Sequence, residues 1–567
     1  MTAPNMPKSP HVLRSLAANS AVRRAQWRAL GICDEDLLKP KIAVVNSSSE
    51  LAVCFSHLDG VAKVVKEAIR AAGGLPFEIR TTAPSDFIIG AALGGSYILA
   101  SRDVVTNDID VQVEGAQLDG MICLTSCDKI PPAHLMAAAR LNIPTLLVIG
   151  GYHASGNIGN QAVDIEDLWS SAIGETVGKP SDFPMDQLID QAIRGPGVCS
   201  GMATANTMHC VVEALGMCLP GSAPVRANSE KMFDAARRSG KRIVEMVQEN
   251  LTPREIMTEG AFGNAAAMVL AVSGSINAIR HLQATAFETG LPIDIFKIWD
   301  EMGRKVPTLS AVRPSGPIRI EAFEDAGGAL GVLKQLEPLL DTNALICTGQ
   351  RLIEALTEVK ITDLDVIRSL DRAIAKGPSI AILRGTLAPE SAVVKLGVRD
   401  GSRPESFEGS ARVYEETEQA LGDLQANLVN KGDVIVLRGQ GLKGGPAMGG
   451  RASAVLFAID AKGLSKDVAL ITDGQLSGLC LKGLTVAEVS PEAATGGPLA
   501  FVQNGDRILI DVETRRLDLL VAPEVLALRS PSSPGFPAPA PGYLGTYRST
   551  VLSMATGGSI RTQGDQV

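Results

Sequence analysis

The sequence predicts an α/β protein with two parts: an N-terminal parallel-sheet α/β region and a C-terminal β-rich, barrel-like region. Three observations carry this prediction. Between residues 41 and 150, short apolar runs alternate with segments of helical period, the spacing of a parallel sheet covered on both faces. Beyond about residue 375 the chain turns into short β-rich runs separated by turns. The 567 residues exceed what one hydrophobic core usually supports, and 57 glycines and 32 prolines suit many tight connections. The expected division is residues 1–375 and residues 376–567.

Taken in order, KIAVVNSSSE (41–50) reads as a buried strand entering a polar loop. From His57 to Ala72, Val61, Val64, Val65, Ala68 and Ile69 recur at helical spacing. GLPFEIRTTAPSD returns to a strand and ends in a loop at Asp86, and a further helix pattern closes near Glu114. LDGMICLTSCDK and then TLLVIGG supply two more strands. GPGVCSGMATANTMHCVVEALGM (195–217) is a Gly-rich turn feeding a helix, which puts Cys199 near a helix N-terminus, where the dipole favours a thiolate. Residues 231–321 are mostly helical, with a break at VSGSINA (272–278). SIAILRG, AVVKLG, ARVYE, DVIVLRG, VALITDG, RILIDVE and LDLLVA are the strands of the second region, and SPSSPGFPAPAPG (530–542) reads as an extended strap.

Composition narrows the function. Aromatic residues are 4%, too few for a base-stacking platform, and a net charge of −9 without a basic stripe argues against nucleic acid. The apolar runs are too short to span a bilayer, and MTAPNMPKSPHVLRS lacks the apolar core of a signal peptide, so a cytoplasmic protein is expected. Nine cysteines without regular spacing argue against a disulfide framework. Cys33, Cys123, Cys210, Cys218, Cys347 and Cys480 read as small hydrophobes.

Cys54, Cys127 and Cys199 differ, because each sits in a small polar or Gly-rich turn. The middle one opens Cys127-Asp128-Lys129, which offers a soft thiolate, a hard carboxylate and a convertible amine together. Three thiolates without CxxC pairs are a poor structural zinc site, whereas an iron–sulfur cluster on three thiolates leaves one iron open to substrate. Inert buried cysteines are the competing reading. Asp86, Asp128 and Lys129 are candidates for a second metal; the competing reading makes both acids helix caps and Lys129 a surface charge. ITDGQLSGLCLKG (471–483) exposes Ser477 on a Gly-flanked loop without GxSxG, so it is no nucleophile elbow. GLKGGPAMGG (441–450) is a second Gly-rich loop of anion-nest type.

These segments together resemble the dihydroxy-acid and sugar-acid dehydratase family, which includes 6-phosphogluconate dehydratase. The resemblance runs from about residue 40 to 520 through VVNSSSELAVCFSHL, SCDKIPPAHLMAAA, GVCSGMATANTMHCVVEALGM, GTLAPESAVVK, LRGQGLKGGPAM and ITDGQLSG. It implies a 2Fe-2S cluster on Cys54, Cys127 and Cys199, Mg²⁺ on Asp86, Asp128 and a carbamylated Lys129, and Ser477 as catalytic base. It implies a hydro-lyase that turns a 2,3-dihydroxy acid into a 2-keto acid, working as a homodimer or dimer of dimers. Branched-chain dihydroxy acids and aldonic sugar acids such as arabinonate, xylonate or gluconate are the competing substrates. A weakened relative that keeps the cluster as sensor or staple is a third reading.

The chain departs from the family pattern on the magnesium side. No acid follows the GGPxM loop, where Ala447-Met448-Gly449-Gly450-Arg451 stands. Gln440 replaces the Glu of an RYEG-like motif, and Asp86-Phe87-Ile88-Ile89 is bulkier and more apolar than a DGIS-like loop. GLCLKG after Ser477 brings Cys480 and Lys482 into the region. The apolar Phe87-Ile88-Ile89 leans toward a small apolar substrate tail.

Overall fold

The computed structural model describes residues 21–90, 95–398, 405–443, 445–448, 451–476, 478, 483–532 and 542–560. β1 (Lys41–Asn46), β2 (Leu75–Arg80), β3 (Gly120–Thr125) and β4 (Thr145–Ile149) pair in the order β2-β1-β3-β4, every pair parallel. β1, β3 and β4 are buried at every residue, which is why KIAVVN and TLLVI show no alternation: a parallel sheet is covered on both faces. β2 is the half-buried edge next to β1. The crossovers are α1 (Leu58–Ala71), α2 (Tyr97–Ala116) and α3 (Ile130–Leu141). α1 buries Leu58, Val61, Ala62, Val65 and Ile69, one stripe at helical spacing.

A small hairpin, β5 (Gly156–Ile158) with β6 (Gln161–Val163), leads to α4 (Ile165–Thr176) and α5 (Thr204–Ala214). α6 (Glu230–Glu249), α7 (Glu259–Ala271) and α8 (Asn277–Thr289) follow. α6 lies across α1, where Gly240 permits the close approach: a Cβ there would stand 2.7 Å from the Ala68 methyl. α5 is buried at every residue, including the polar Asn206, His209 and Glu213.

The second sheet comprises β7 (Ile380–Leu383), β8 (Ser391–Lys395), β9 (Ser406–Tyr414), β10 (Asp433–Leu437), β11 (Ala469–Thr472), β12 (Leu484–Ser490), β13 (Arg507–Asp511) and β14 (Arg516–Leu519). Their order is β14-β13-β9-β10-β11-β12-β8-β7. A parallel centre, β9 to β12, carries antiparallel strands on both flanks. Arg384, just past β7, bridges Arg516 at the start of β14, so the two edges meet and the sheet curls into a barrel-like form. α9 (Thr417–Gln425) and α10 (Arg451–Ala461) make the parallel crossovers. These two helices and β12 were not among the sequence-predicted elements.

Alternate residues of the barrel strands serve different cores. Ala381, Leu383, Val434 and Val436 face the barrel interior. Ile380, Ile382, Ile435 and Leu437 join the large core that includes the first sheet. Both faces are therefore apolar, and the second region packs directly against the first. Among the described residues no helix is long and apolar enough to cross a membrane.

Candidate metal and active site

In parallel sheets, ligand-handling groups collect beyond the carboxyl ends of the strands. Each strand of the first sheet delivers one group there. β1 leads to Cys54, β2 to Asp86, β3 to Cys127-Asp128-Lys129 and β4 to His153. Cys199 arrives from the turn before α5. Cys54, Cys127, Cys199, Asp86 and Asp128 all line one cavity of about 110 Å³, together with Ser85 and His153. Its apolar walls are Val53, Phe87, Ile88, Ile165, Ile193 and Val198. Lys129 lies behind the acids, fully buried, with its Nζ 3.0 Å from Asp86 Oδ2.

Hydrogen bonds lock these loops together. Cys127 adopts φ 62°, so β3 breaks sharply before α3. Ser126 Oγ donates to the Cys54 carbonyl at 2.6 Å, tying the first cysteine loop to the second. His57 Nε2 donates to the Gly150 carbonyl at 2.6 Å, holding the Cys54 loop to the end of β4. Asn206 Nδ2 donates to the carbonyls of Cys199 and Gly201, each at 2.8 Å. Neither acid caps the helix that follows it. The Asp86–Ile89 turn is preceded by Ser85 and α3 by Lys129, in both cases without a side-chain cap bond. Asp128 instead accepts from the Ala205 amide in the first turn of α5, and Lys129 is no surface charge.

Burial and mutual proximity disfavour the charged forms of the acidic groups in this cavity. Contact with Cys54, then burial, pushes the Cys127 thiol well above its usual range. Burial, then Asp128, does the same to Cys199. Asp128 is pushed up to about 7, first by burial and next by the Asp86 carboxylate, with Lys129 opposing. Asp86 Oδ1 is buried with no donor. Bound metal would reverse these shifts, since thiolate and carboxylate ligands bind deprotonated. Among the described residues no three His, Cys, Asp or Glu side chains group as ligands of a single ion. A closed mononuclear chelate is thus absent there, whereas three thiols spread around one cavity suit a group containing more than one metal atom. Asp86, Asp128 and Lys129 offer two carboxylates and one amine, an incomplete oxygen set unless the amine is converted.

Ser477 lies outside the described residues, as do Gly449, Gly450, Cys480 and Lys482. Its neighbour Gly478 is buried against the N-terminus of α5: a Cβ there would stand 2.6 Å from Thr204 N and 3.1 Å from the Ala203 carbonyl carbon. The 471–478 loop therefore reaches the helix that follows Cys199. Gln475 N donates to the Ala447 carbonyl at 2.7 Å, so the two Gly-rich loops touch. Gln440 is buried beside them, its backbone N donating to Asp473 Oδ1 at 2.8 Å. Behind this loop, Arg280 of α8 pairs with Glu488 at 2.7 Å, both buried.

At the cavity mouth Phe87 and Ile88 are exposed. Phe87 meets the Trp169 ring edge-on at 5.8 Å, and Trp169 packs at a 60° tilt against Phe457 of α10 at 5.1 Å. The prediction that the remaining cysteines are small hydrophobes holds for Cys123, Cys210, Cys218 and Cys347, which are buried. Cys33 is exposed, with its Sγ 3.1 Å from Asp36 Oδ2, because the segment around it is too polar to pack. Sequence reasoning did not single out Ser85 or His153. The signal for His153 was its place just after TLLVIGG, the same strand-end position that marked the other three loops.

Comparison with known proteins agrees across nearly the whole chain. Residues 39–355 match the dihydroxy-acid/6-phosphogluconate dehydratase N-terminal domain, and residues 365–558 match the corresponding C-terminal domain. The chain is 40% identical over 545 residues to a dihydroxy-acid dehydratase of Ignicoccus hospitalis, covering 95% of this chain and 98% of that protein. It is 40% identical over 544 residues to dihydroxy-acid dehydratase 1 of Methanosarcina acetivorans, with the same coverage. A dihydroxy-acid dehydratase of Acetivibrio thermocellus is 38% identical over 563 residues, 97% of this chain and 100% of that one.

Proposed function

Because this chain belongs to the dihydroxy-acid/6-phosphogluconate dehydratase family of hydro-lyases, we propose that it converts a 2,3-dihydroxy carboxylic acid with a small branched apolar tail into the 2-keto acid, using a 2Fe-2S cluster and Mg²⁺. The observation that carries this reading is the convergence of Cys54, Cys127, Cys199, Asp86 and Asp128 on one largely apolar cavity. When bound, the cluster supplies an open iron as Lewis acid for the departing hydroxyl, and Mg²⁺ offsets the negative charge gathering on the carboxylate side.

Cys54, Cys127 and Cys199 would hold the cluster. Asp86, Asp128 and Lys129 as its carbamate would hold the magnesium. A carbamate beside Asp86 would add a third oxygen ligand to the two carboxylates, in keeping with the preference of Mg²⁺ for hard oxygens. Ser477 takes the C2 proton in this reading, on a loop whose Gly478 abuts the N-terminus of α5. The apolar walls exclude water and leave few polar partners for a polyol, which favours a branched hydrocarbon tail.

A second reading, an aldonic sugar acid, draws on one observation. A polar cleft lined by Ser155, Asn157, Gln191, Arg194 and Arg226 adjoins the cavity across Ile193 and could receive a hydroxylated tail. Exposed Leu51, Val53, Phe87 and Ile88 around the mouth favour a homodimer that covers them. Anaerobically reconstituted protein, assayed with dihydroxyisovalerate, arabinonate, xylonate and gluconate, decides between the substrates. Preferential 2-keto acid formation from dihydroxyisovalerate is expected. Preference for an aldonate moves the substrate assignment, and no turnover of any of them contradicts the proposal.

A further inference from the structure

We infer that His153 is a substrate-contacting residue of this enzyme, its Nε2 accepting a hydrogen bond from a substrate hydroxyl; the inference rests on the dehydratase reading above. The first argument is topological. β1, β2 and β3 each place a functional group just past their carboxyl ends, and the fourth strand of the same sheet places His153 there. It lines the same cavity as the three thiols and two carboxylates.

The second argument concerns the ring itself. His153 is 2% exposed, and its Nε2 is buried without any hydrogen-bond partner. Its Nδ1 lies 2.9 Å from the Ala154 carbonyl. A carbonyl only accepts, so Nδ1 carries the proton and a neutral ring leaves Nε2 as a lone-pair acceptor. Burial holds the ring's pKa below the ordinary histidine value, with the nearby Glu321 opposing, so the neutral form prevails at neutral pH. A buried acceptor with no donor carries an uncompensated desolvation cost, which a hydroxyl arriving in the cavity would recover.

The third argument is rigidity. His153 N donates to the Val198 carbonyl at 2.9 Å, and Val198 N donates to the Gly151 carbonyl at 2.9 Å. Gly197, at φ 115°, lets this strand-like pairing close: a Cβ would meet His153 N at 2.7 Å. The imidazole is therefore fixed directly beside the segment bearing Cys199, as a residue that orients substrate must be. Among the mostly apolar walls it is a neutral polar group able to accept a hydrogen bond from a hydroxyl.

The test compares wild type, His153→Leu and His153→Gln as iron-loaded protein. It measures iron content, visible absorbance, kcat and KM for the best substrate, and binding of that substrate by calorimetry. His153→Leu is expected to keep iron and absorbance while kcat/KM and binding affinity fall about 10- to 100-fold. His153→Gln, whose amide oxygen can accept at a similar reach, should recover most of the loss. Unchanged kcat/KM and affinity in His153→Leu would overturn the inference. Loss of iron in that variant would overturn it too, by making the ring a support of the cluster. An iron-loaded wild type that turns over no dihydroxy acid would instead overturn the functional reading, and this inference with it.

Discussion

Gly478→Ala tests whether the loop bearing Ser477 is docked on the cysteine-bearing half of the molecule. An added Cβ would stand 2.6 Å from Thr204 N, 2.9 Å from Thr204 Oγ1 and 3.1 Å from the Ala203 carbonyl carbon, where ordinary contact begins at 3.4 Å. Thr204 cannot yield easily. Its hydroxyl is 2.9 Å from Ser275 Oγ and 2.9 Å from Asn277 Nδ2, and its backbone is the first turn of fully buried α5. The loop must therefore retreat by roughly 0.8 Å, the shortfall of the shortest contact from 3.4 Å. Overpacking of this kind costs about 1–3 kcal/mol of stability. A displacement near 1 Å of a reacting group costs about 100-fold in rate, or about 2.7 kcal/mol of barrier. The assay is kcat on anaerobically reconstituted protein, with visible absorbance and thermal midpoint measured in parallel. We expect kcat to fall about 100-fold with absorbance retained. Gly422→Ala in α9, where a Cβ meets nothing within 4 Å, is the control and should be neutral or slightly stabilising. Full turnover by a folded Gly478→Ala would refute the docking of the serine loop.

Cys127→Ser should lose both visible absorbance and activity; a coloured, active variant contradicts its assignment as a ligand. Ser477→Ala should keep the absorbance yet lose turnover by several decades, and ordinary turnover would move the base to another residue. Arg280→Met strands Glu488 in the core, so unfolding in denaturant should show a loss of about 3–5 kcal/mol, much of it regained with Glu488→Gln added; a loss under 1 kcal/mol rules this out. Glu213 is pushed up from its ordinary value of 4.5 to about 7 by burial, against the Gly221 and Ala223 amides that donate to it. The native state then holds a proton that the unfolded chain releases, so stability declines as pH rises from about 4.5 to 7, by up to about 3 kcal/mol. Glu213→Gln should flatten that part of the stability–pH curve, and an unchanged slope would exclude Glu213 as its source.

Much of the fold was legible because buried parallel strands leave short apolar runs at regular spacing. β1 to β4 were each readable, and so were seven of the barrel strands. β12 was not: LTVAEVS breaks at Glu488, where φ is 57° and the pairing to β8 shifts register. α9 and α10 were hidden by the density of strands around them, although parallel neighbours β9, β10 and β11 require long crossovers. The convergence of Cys54, Asp86 and Cys127 could be anticipated from strand-end placement alone. The fate of the capping reading of Asp86 and Asp128 could not, because a cap and a ligand look alike in sequence; the missing cap bonds exclude capping of the helices that follow them, and the contact with Ala205 shows where Asp128 turns instead. His153 escaped notice because a lone histidine is more often a satisfied core residue, and its unpartnered Nε2 is visible only in three dimensions.

The central claim is that three thiols hold an iron–sulfur group with a coordination position left for substrate. Iron and acid-labile sulfide determined on anaerobically purified protein test it most directly, alongside Cys54→Ser, Cys127→Ser and Cys199→Ser. About two irons and two sulfides per chain are predicted for the wild type, with loss of colour in each variant. Colourless, iron-free protein that still dehydrates a dihydroxy acid would contradict it.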